Sequence, residues 1–157
     1  MWDDKSHLTA TARKKISAPA KRIQRAGLLR GRVLDYGCGR GADCQALNIP
    51  GYDPHWRPED PGSGWDTILC TYVLNVIPSR QERESVVKDV VSRLAEGGKA
   101  YFTVRRDLRE TGWTKTGTWQ GIVYVPSGGS LWKTSDYETY EVSRADPGQN
   151  EDDNHGH

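Results

Sequence analysis

The chain has no run approaching the roughly 20 consecutive apolar residues that span a bilayer, and its N-terminus lacks the apolar core of a secretion signal. The expectation is a soluble, cytoplasmic protein with no membrane partner. Cysteine is scarce: Cys38, Cys44 and Cys70 form no CxxC pair, and their odd number argues against a disulfide framework. Structural zinc and an oxidising compartment are likewise not indicated, and no metal site is expected. Internal repeats are absent. With 157 residues there is room for one domain, and the mean hydropathy of -0.77 says that polar surface dominates it.

Net charge is also nearly lacking, at +1, yet its distribution is uneven. Residues 1–30 carry +6, residues 145–157 carry -4, and the stretch between them is near neutral. The basic arm is suited to phosphates or another anionic partner, or it is simply a solvated helix face and loop. From residue 146 onward the acidic tail has no apolar residue apart from glycine, and residues 145–157 are expected to be disordered, with residues 1–144 forming the domain.

Along the middle, strand and helix alternate. Residues 18–29 read as a short amphipathic helix with Ser17 as N-cap and Pro19 in its first turn. Residues 32–36 and a segment ending near Asp53 read as short strands, and residues 54–64, rich in proline and glycine, as a loop. Residues 66–74 are apolar and β-branched, the pattern of a buried parallel strand. Ser79 and Glu82 make a capping box ahead of a helix bearing Val86, Val87, Val90, Val91 and Leu94 on one face, with Gly97 expected to close it. Residues 99–104 form a fourth strand, and residues 121–125 and 137–142 two closing strands. Such alternation predicts an α/β fold, a mostly parallel sheet with an antiparallel C-terminal end.

The sharpest chemical signal is Asp35-Tyr36-Gly37-Cys38-Gly39-Arg40-Gly41, a strand that ends in an acid and then G-x-G-x-G. Glycines there let the backbone turn tightly and approach a ligand with no Cβ in the way. Dinucleotide-binding proteins use G-x-G-x-x-G, so the third glycine here comes one residue early. The pattern resembles instead the first motif of class I S-adenosylmethionine-dependent methyltransferases. That resemblance implies a shortened Rossmann-like methyltransferase fold and S-adenosyl-L-methionine as cofactor. It also implies that Asp53 holds the ribose hydroxyls, the lesser alternative being an Asp that initiates a turn before Pro54. Cys70-Thr71-Tyr72-Val73-Leu74-Asn75 matches the family's fourth strand, whose end lies beside the transferred methyl.

A closer resemblance rests on Thr9-Ala10, Arg13, Ser17, Pro19, DYGCGRGAD, GYDPHWRP, YVLNVI, VRRD and GTWQ, over about residues 7–143. These strings are similar to a small bacterial and phage family known as DNA phosphorothioation-associated methyltransferases. Larger class I enzymes have a helix and a strand where only residues 54–64 stand here, so the usual adenine contact has no counterpart. His55 or Trp56 is expected to pack on the adenine ring, unless Trp56 merely anchors the surface. The helix usual after the fourth strand is replaced by residues 105–120.

The implied cofactor set is therefore Arg13, Asp35, Gly37, Cys38, Gly39, Gly41, Asp53, Pro54, Trp56, Thr71 and Tyr72. Arg13 would pair with the methionine carboxylate, or be an ordinary solvent-facing arginine. Tyr72, Asn75, Arg105 and Trp119 are the candidate catalytic residues, with Arg106, Asp107, Thr118 and Gln120 adjoining them for acceptor recognition. Arg105 and Arg106 with Asp107 could instead be a surface ion-pair cluster. His7 is either a base or a loop residue without a role. The acceptor is expected to be a small molecule or a nucleic-acid element, and the arginines suit an anionic one. Neither the aromatic Pro-Pro signature of exocyclic-amine methylation nor a Pro-Cys nucleophile is present, which disfavours both common DNA chemistries. A non-catalytic cofactor-binding module in a modification or defence assembly is the alternative, and a monomer or weak dimer is expected.

Overall fold

The computed structural model describes residues 15–144. Its centre is a six-stranded sheet in the order β2-β1-β3-β4-β8-β7. The strands β1 (Val33–Tyr36), β2 (Gly51–Tyr52), β3 (Trp65–Thr71) and β4 (Leu94–Arg105) are mutually parallel, while β8 (Tyr137–Ser143) runs antiparallel to β4, and β7 (Gly129–Lys133) antiparallel to β8. This is the α/β, Rossmann-like arrangement expected, with its antiparallel C-terminal end.

Side-chain alternation divides the core between the two faces of the sheet. Ile68, Cys70, Ala100, Phe102, Tyr140 and Val142 pack with Val86 and Val90 of helix α3 (Arg80–Ser92). Leu69 and Tyr101, on the opposite face, pack with Ile23 of helix α1 (Ala18–Arg25). Ser17 caps α1 by accepting a hydrogen bond from the Ala20 N–H, and Ser79 caps α3 through the Glu82 N–H. Among the described residues, no helix is long and apolar enough to cross a membrane.

Three boundaries differ from the sequence reading. Helix α1 stops at Arg25 because Gly27, at φ 73°, turns the chain left-handed: its N–H reaches the Gln24 carbonyl while Leu28 N–H reaches that of Ile23, and Leu28 packs near Ile23. Helix α3 ends at Ser92, not at Gly97. Leu94 already pairs with Trp65 in the sheet, and Gly97 (φ 71°) lies in an irregularity at the start of β4. Residues 121–125 keep the burial alternation of a strand, with Val123 and Val125 buried and Ile122 and Tyr124 exposed, but join no ladder. The outer closing strand is β7, whose mostly exposed side chains hid it from a hydrophobic pattern.

The connections are as short as expected. Between β2 and β3 there is only an isolated bridge, Asp53 with Arg57. Between β4 and β7 stands a small hairpin of β5 (Gly112–Trp113) and β6 (Trp119–Gln120).

Candidate active site

In a parallel sheet, ligands gather beyond the carboxyl ends of the strands. The carboxyl end of β1 delivers the glycine turn, and there Gly37, Gly39 and Gly41 adopt φ of 81°, 56° and 92°. Those angles are costly for any residue with a Cβ, which explains three glycines at alternate positions. The Gly37 and Cys38 N–H groups both donate to the Tyr52 carbonyl, at 2.7 and 2.9 Å, so the turn is pinned to β2. Gly41 then opens helix α2 (Ala42–Leu47). A Cβ on Gly41 would fall 2.5 Å from an Arg57 guanidinium nitrogen, so Arg57 lies directly against the turn.

Asp53 fastens the site from the β2 side. Its Oδ2 accepts from Gly39 N–H at 2.9 Å, and its Oδ1 accepts from the N–H groups of His55 and Trp56 at 2.9 and 3.0 Å. The buried carboxylate is therefore the joint between the glycine turn and the turn that begins at Pro54. Trp56, 40% exposed, has the Arg40 guanidinium 4.9 Å from its ring centroid and the His55 ring roughly perpendicular to it, with centroids 4.7 Å apart. Asp35 is buried at the end of β1, and Tyr36 beside it faces α3, donating its hydroxyl to Asp89 at 2.6 Å.

The end of β3 supplies the second wall. Tyr72 has φ 60°, a conformation that non-glycine residues adopt rarely and mostly where the surroundings enforce it. Its N–H is held by the Thr103 carbonyl at 2.8 Å. The chain then makes a 3-10 turn, Leu74–Val76, on which Asn75 is 1% exposed. Asn75 Nδ2 donates to Gln120 Oε1 at 3.1 Å, and its carbonyl accepts from Gly121 N–H, so the strand end and β6 are stitched together. Among the described residues, Asn75 Oδ1 and Thr71 Oγ1 are both buried without a hydrogen-bond partner. A desolvated polar atom left unpaired costs about 1–3 kcal/mol, and such orphans commonly meet a ligand or water.

Other candidates are placed as follows. Arg105 forks onto Asp107 at 2.8 and 3.1 Å, which holds the Asp107 carboxyl below its ordinary range. Trp119 pairs with Trp113 across the hairpin and packs partly against the α3-side core, with Arg83 5.7 Å above its ring. Burial pushes the Cys38 and Cys70 thiols up, making both poor nucleophiles. Arg13 and His7 lie outside the described residues, as does the acidic tail.

Four participants escaped the sequence reading: Arg57, Arg40, Gln120 as the partner of Asn75, and Asp43. Asp43, buried on α2, accepts from both the N–H and the hydroxyl of Ser17, at 2.7 and 2.6 Å, and so ties the cap of α1 to the helix that leaves the glycine turn. Only an acid in the first turn of α2 could have signalled it, and that is a common feature of helices.

The fold is shared with solved structures at low identity. The Burkholderia thailandensis 1,6-didemethyltoxoflavin-N1-methyltransferase, bound to 1,6-didemethyltoxoflavin and S-adenosylhomocysteine, matches at 16% identity and TM-score 0.63, covering 82% of this chain and 78% of its own. A DhpI complex with S-adenosylhomocysteine matches at 16% and 0.57, covering 83% and 84%. The N-methyltransferase NodS of Bradyrhizobium japonicum WM9, also with S-adenosylhomocysteine, matches at 16% and 0.52, covering 88% and 96%. No curated protein matches the chain. The model of the methyltransferase domain family, however, matches residues 9–152, nearly the full length, and the chain therefore belongs to the methyltransferase domain family.

Proposed function

We propose that this protein transfers a methyl group from S-adenosyl-L-methionine to an acceptor by in-line displacement. The observation that carries the reading is the pairing of two features at the strand ends: a glycine turn cinched by Asp53, and two buried oxygens with no partner among the described residues, Thr71 Oγ1 and Asn75 Oδ1, on the adjoining strand end. The residues present fit the cofactor, because the positive-φ turn presents bare backbone and the orphaned oxygens await donors. When bound, the sulfonium supplies an electrophilic methyl.

The chain's own contribution is alignment and desolvation. Gly37, Cys38, Gly39 and Gly41 admit the methionine portion alongside Asp35. Asp53 Oδ1 already takes two N–H donors, whereas Oδ2 takes one, from Gly39, and keeps a lone pair for a ribose hydroxyl. Trp56, held by Arg40 and His55, offers aromatic surface for adenine. Thr71, Tyr72 and Asn75 border the methyl, and their acceptor oxygens suit an incoming N–H or O–H. Arg13 in the arm pairs with the methionine carboxylate, while Arg106 and the Arg105–Asp107 pair border the acceptor, a small molecule or nucleic-acid element, in keeping with the resemblance to the phosphorothioation-associated family. We further place the reaction in a monomer or weak dimer in the cytoplasm, where three free cysteines would stay reduced.

The test is calorimetry with S-adenosylhomocysteine, followed by transfer of labelled methyl to nucleic acids and small-molecule extracts. Saturable binding with label transfer is expected. Binding with no transfer to any acceptor would identify a non-catalytic module, and no binding would remove the cofactor assignment itself.

A further inference from the structure

A groove of about 590 Å³ runs between the first half of α3 and residues 122–127. The glycine turn does not line it; Leu74 is where the groove comes nearest the end of β3. Every consecutive residue from 122 to 127 borders it, so it follows an edge of that backbone segment and not one face.

The segment is strand-like. Val123 and Val125 are 5% and 2% exposed, against 42% and 70% for Ile122 and Tyr124. Gly121 N–H points to the Asn75 carbonyl, on the side leading into α3, and Ile122 N–H to Thr111 Oγ1. Strand alternation then turns the peptide groups of Val123 and Val125 to the same side as Gly121, toward α3. Among the described residues, the Val123 N–H and carbonyl and the Val125 N–H have no hydrogen-bond partner. An unpaired edge beside an apolar trough is a template for an added strand.

The opposite wall sets the charge of the occupant. Arg80, Arg83 and Lys88 face one carboxylate, Glu84, which Arg80 already engages at 3.2 Å. Arg83 is turned onto the carbonyls of Ile77 and Pro78, which leaves Arg80 and Lys88 at the rim. Two α-helical turns separate them by about 12 Å, close to the roughly 13 Å between strand residues i and i+4.

We propose that this groove binds an extended, acidic peptide segment of a partner protein. The peptide pairs with the edge of residues 121–125, sets carboxylates four residues apart against Arg80 and Lys88, and lays intervening apolar side chains on Leu74 and Val87. The probe is a fluorescein-labelled peptide of sequence Thr-Glu-Val-Thr-Val-Glu-Thr, titrated with the full chain and followed by anisotropy. Saturable binding is expected, at least tenfold weaker in the doubly substituted Arg80→Glu, Lys88→Glu protein, whose folding is checked by circular dichroism. Methylating the peptide's pairing N–H groups should weaken binding at least tenfold, because it removes the ladder and leaves the charges. The proposal is overturned if the methylated peptide or a lysine-for-glutamate peptide binds as tightly as the original. It is equally overturned if the original peptide does not bind while a single-stranded oligonucleotide does and loses affinity in the same variant.

Discussion

At the scale of single residues, Asp53 and Gly41 carry the clearest consequences. Asp53 satisfies three backbone N–H groups at once, so Asp53→Ala leaves those donors to water or to each other and loosens both turns. We expect a loss of about 1–3 kcal/mol in stability, from the orphaned donors, together with at least tenfold weaker S-adenosylhomocysteine binding. Urea denaturation and calorimetry measure the two, and unchanged affinity in a folded variant would falsify the ribose assignment. Gly41→Ala should cost about 1–2 kcal/mol for a left-handed Cβ-bearing residue, before the contact with Arg57 is counted. Adding Arg57→Ala removes the collision but not the strained φ, so the double variant should recover only part of the stability. Full recovery would mean that the backbone angle carries no cost. Thr71→Val replaces the orphaned hydroxyl with a methyl of similar shape. It should leave the fold intact while lowering methyl transfer or ligand affinity, a combination that a purely structural Thr71 would not give.

Among the elements, the join between α1 and α2 is where a small change should travel furthest. Ser17 caps α1 and simultaneously gives its N–H and hydroxyl to Asp43 on the helix that leaves the glycine turn. Asp43→Ala should destabilise by about 2–3 kcal/mol, since two charged hydrogen bonds are lost and the buried N–H and hydroxyl donors of Ser17 are left without an acceptor. In a double-mutant cycle with Ser17→Ala the two losses should be strongly non-additive; additive losses would show that the contact contributes little. This join also marks what could be read from sequence. The caps at Ser17 and Ser79, the apolar run of β3 and the glycine turn follow local rules, and each was legible because its cause lies within a few residues. Arg57 against Gly41, Asn75 with Gln120 and Asp43 with Ser17 are contacts across the fold, for which a single sequence holds no local signal. Residues 121–125 show the limit of periodicity: the alternation is there, yet a strand also needs a partner edge, and that depends on where β7 and β8 pair.

On the scale of the whole molecule, the buried tyrosines couple folding to alkaline pH. Tyr36 is raised above its ordinary range first by burial and then by the hydrogen bond to Asp89, and Tyr140 likewise by burial and Glu138. Tyr101 is pushed up to about 12, chiefly by burial, with Glu141 adding to it. A folded-state value above the unfolded value of about 10 means that the unfolded chain loses its phenol proton first. The associated stability is therefore fully present below about pH 10 and is lost as pH rises through the folded-state values. Because these residues sit on β1, β4 and β8, the loss is shared by the parallel and antiparallel halves of the sheet. Urea midpoints should accordingly hold level through neutral pH, begin to fall above about pH 8.5 as the thiols of the unfolded chain ionise while Cys38 and Cys70, pushed up by burial, stay protonated, and fall further from about pH 10 as the tyrosines follow. In Tyr36→Phe the neutral-pH midpoint should drop, because Asp89 loses a donor while keeping Arg93, and the alkaline slope should become shallower. Parallel slopes in the two proteins would show that Tyr36 ionises alike in the folded and unfolded chain, and that the alkaline transition belongs to other groups.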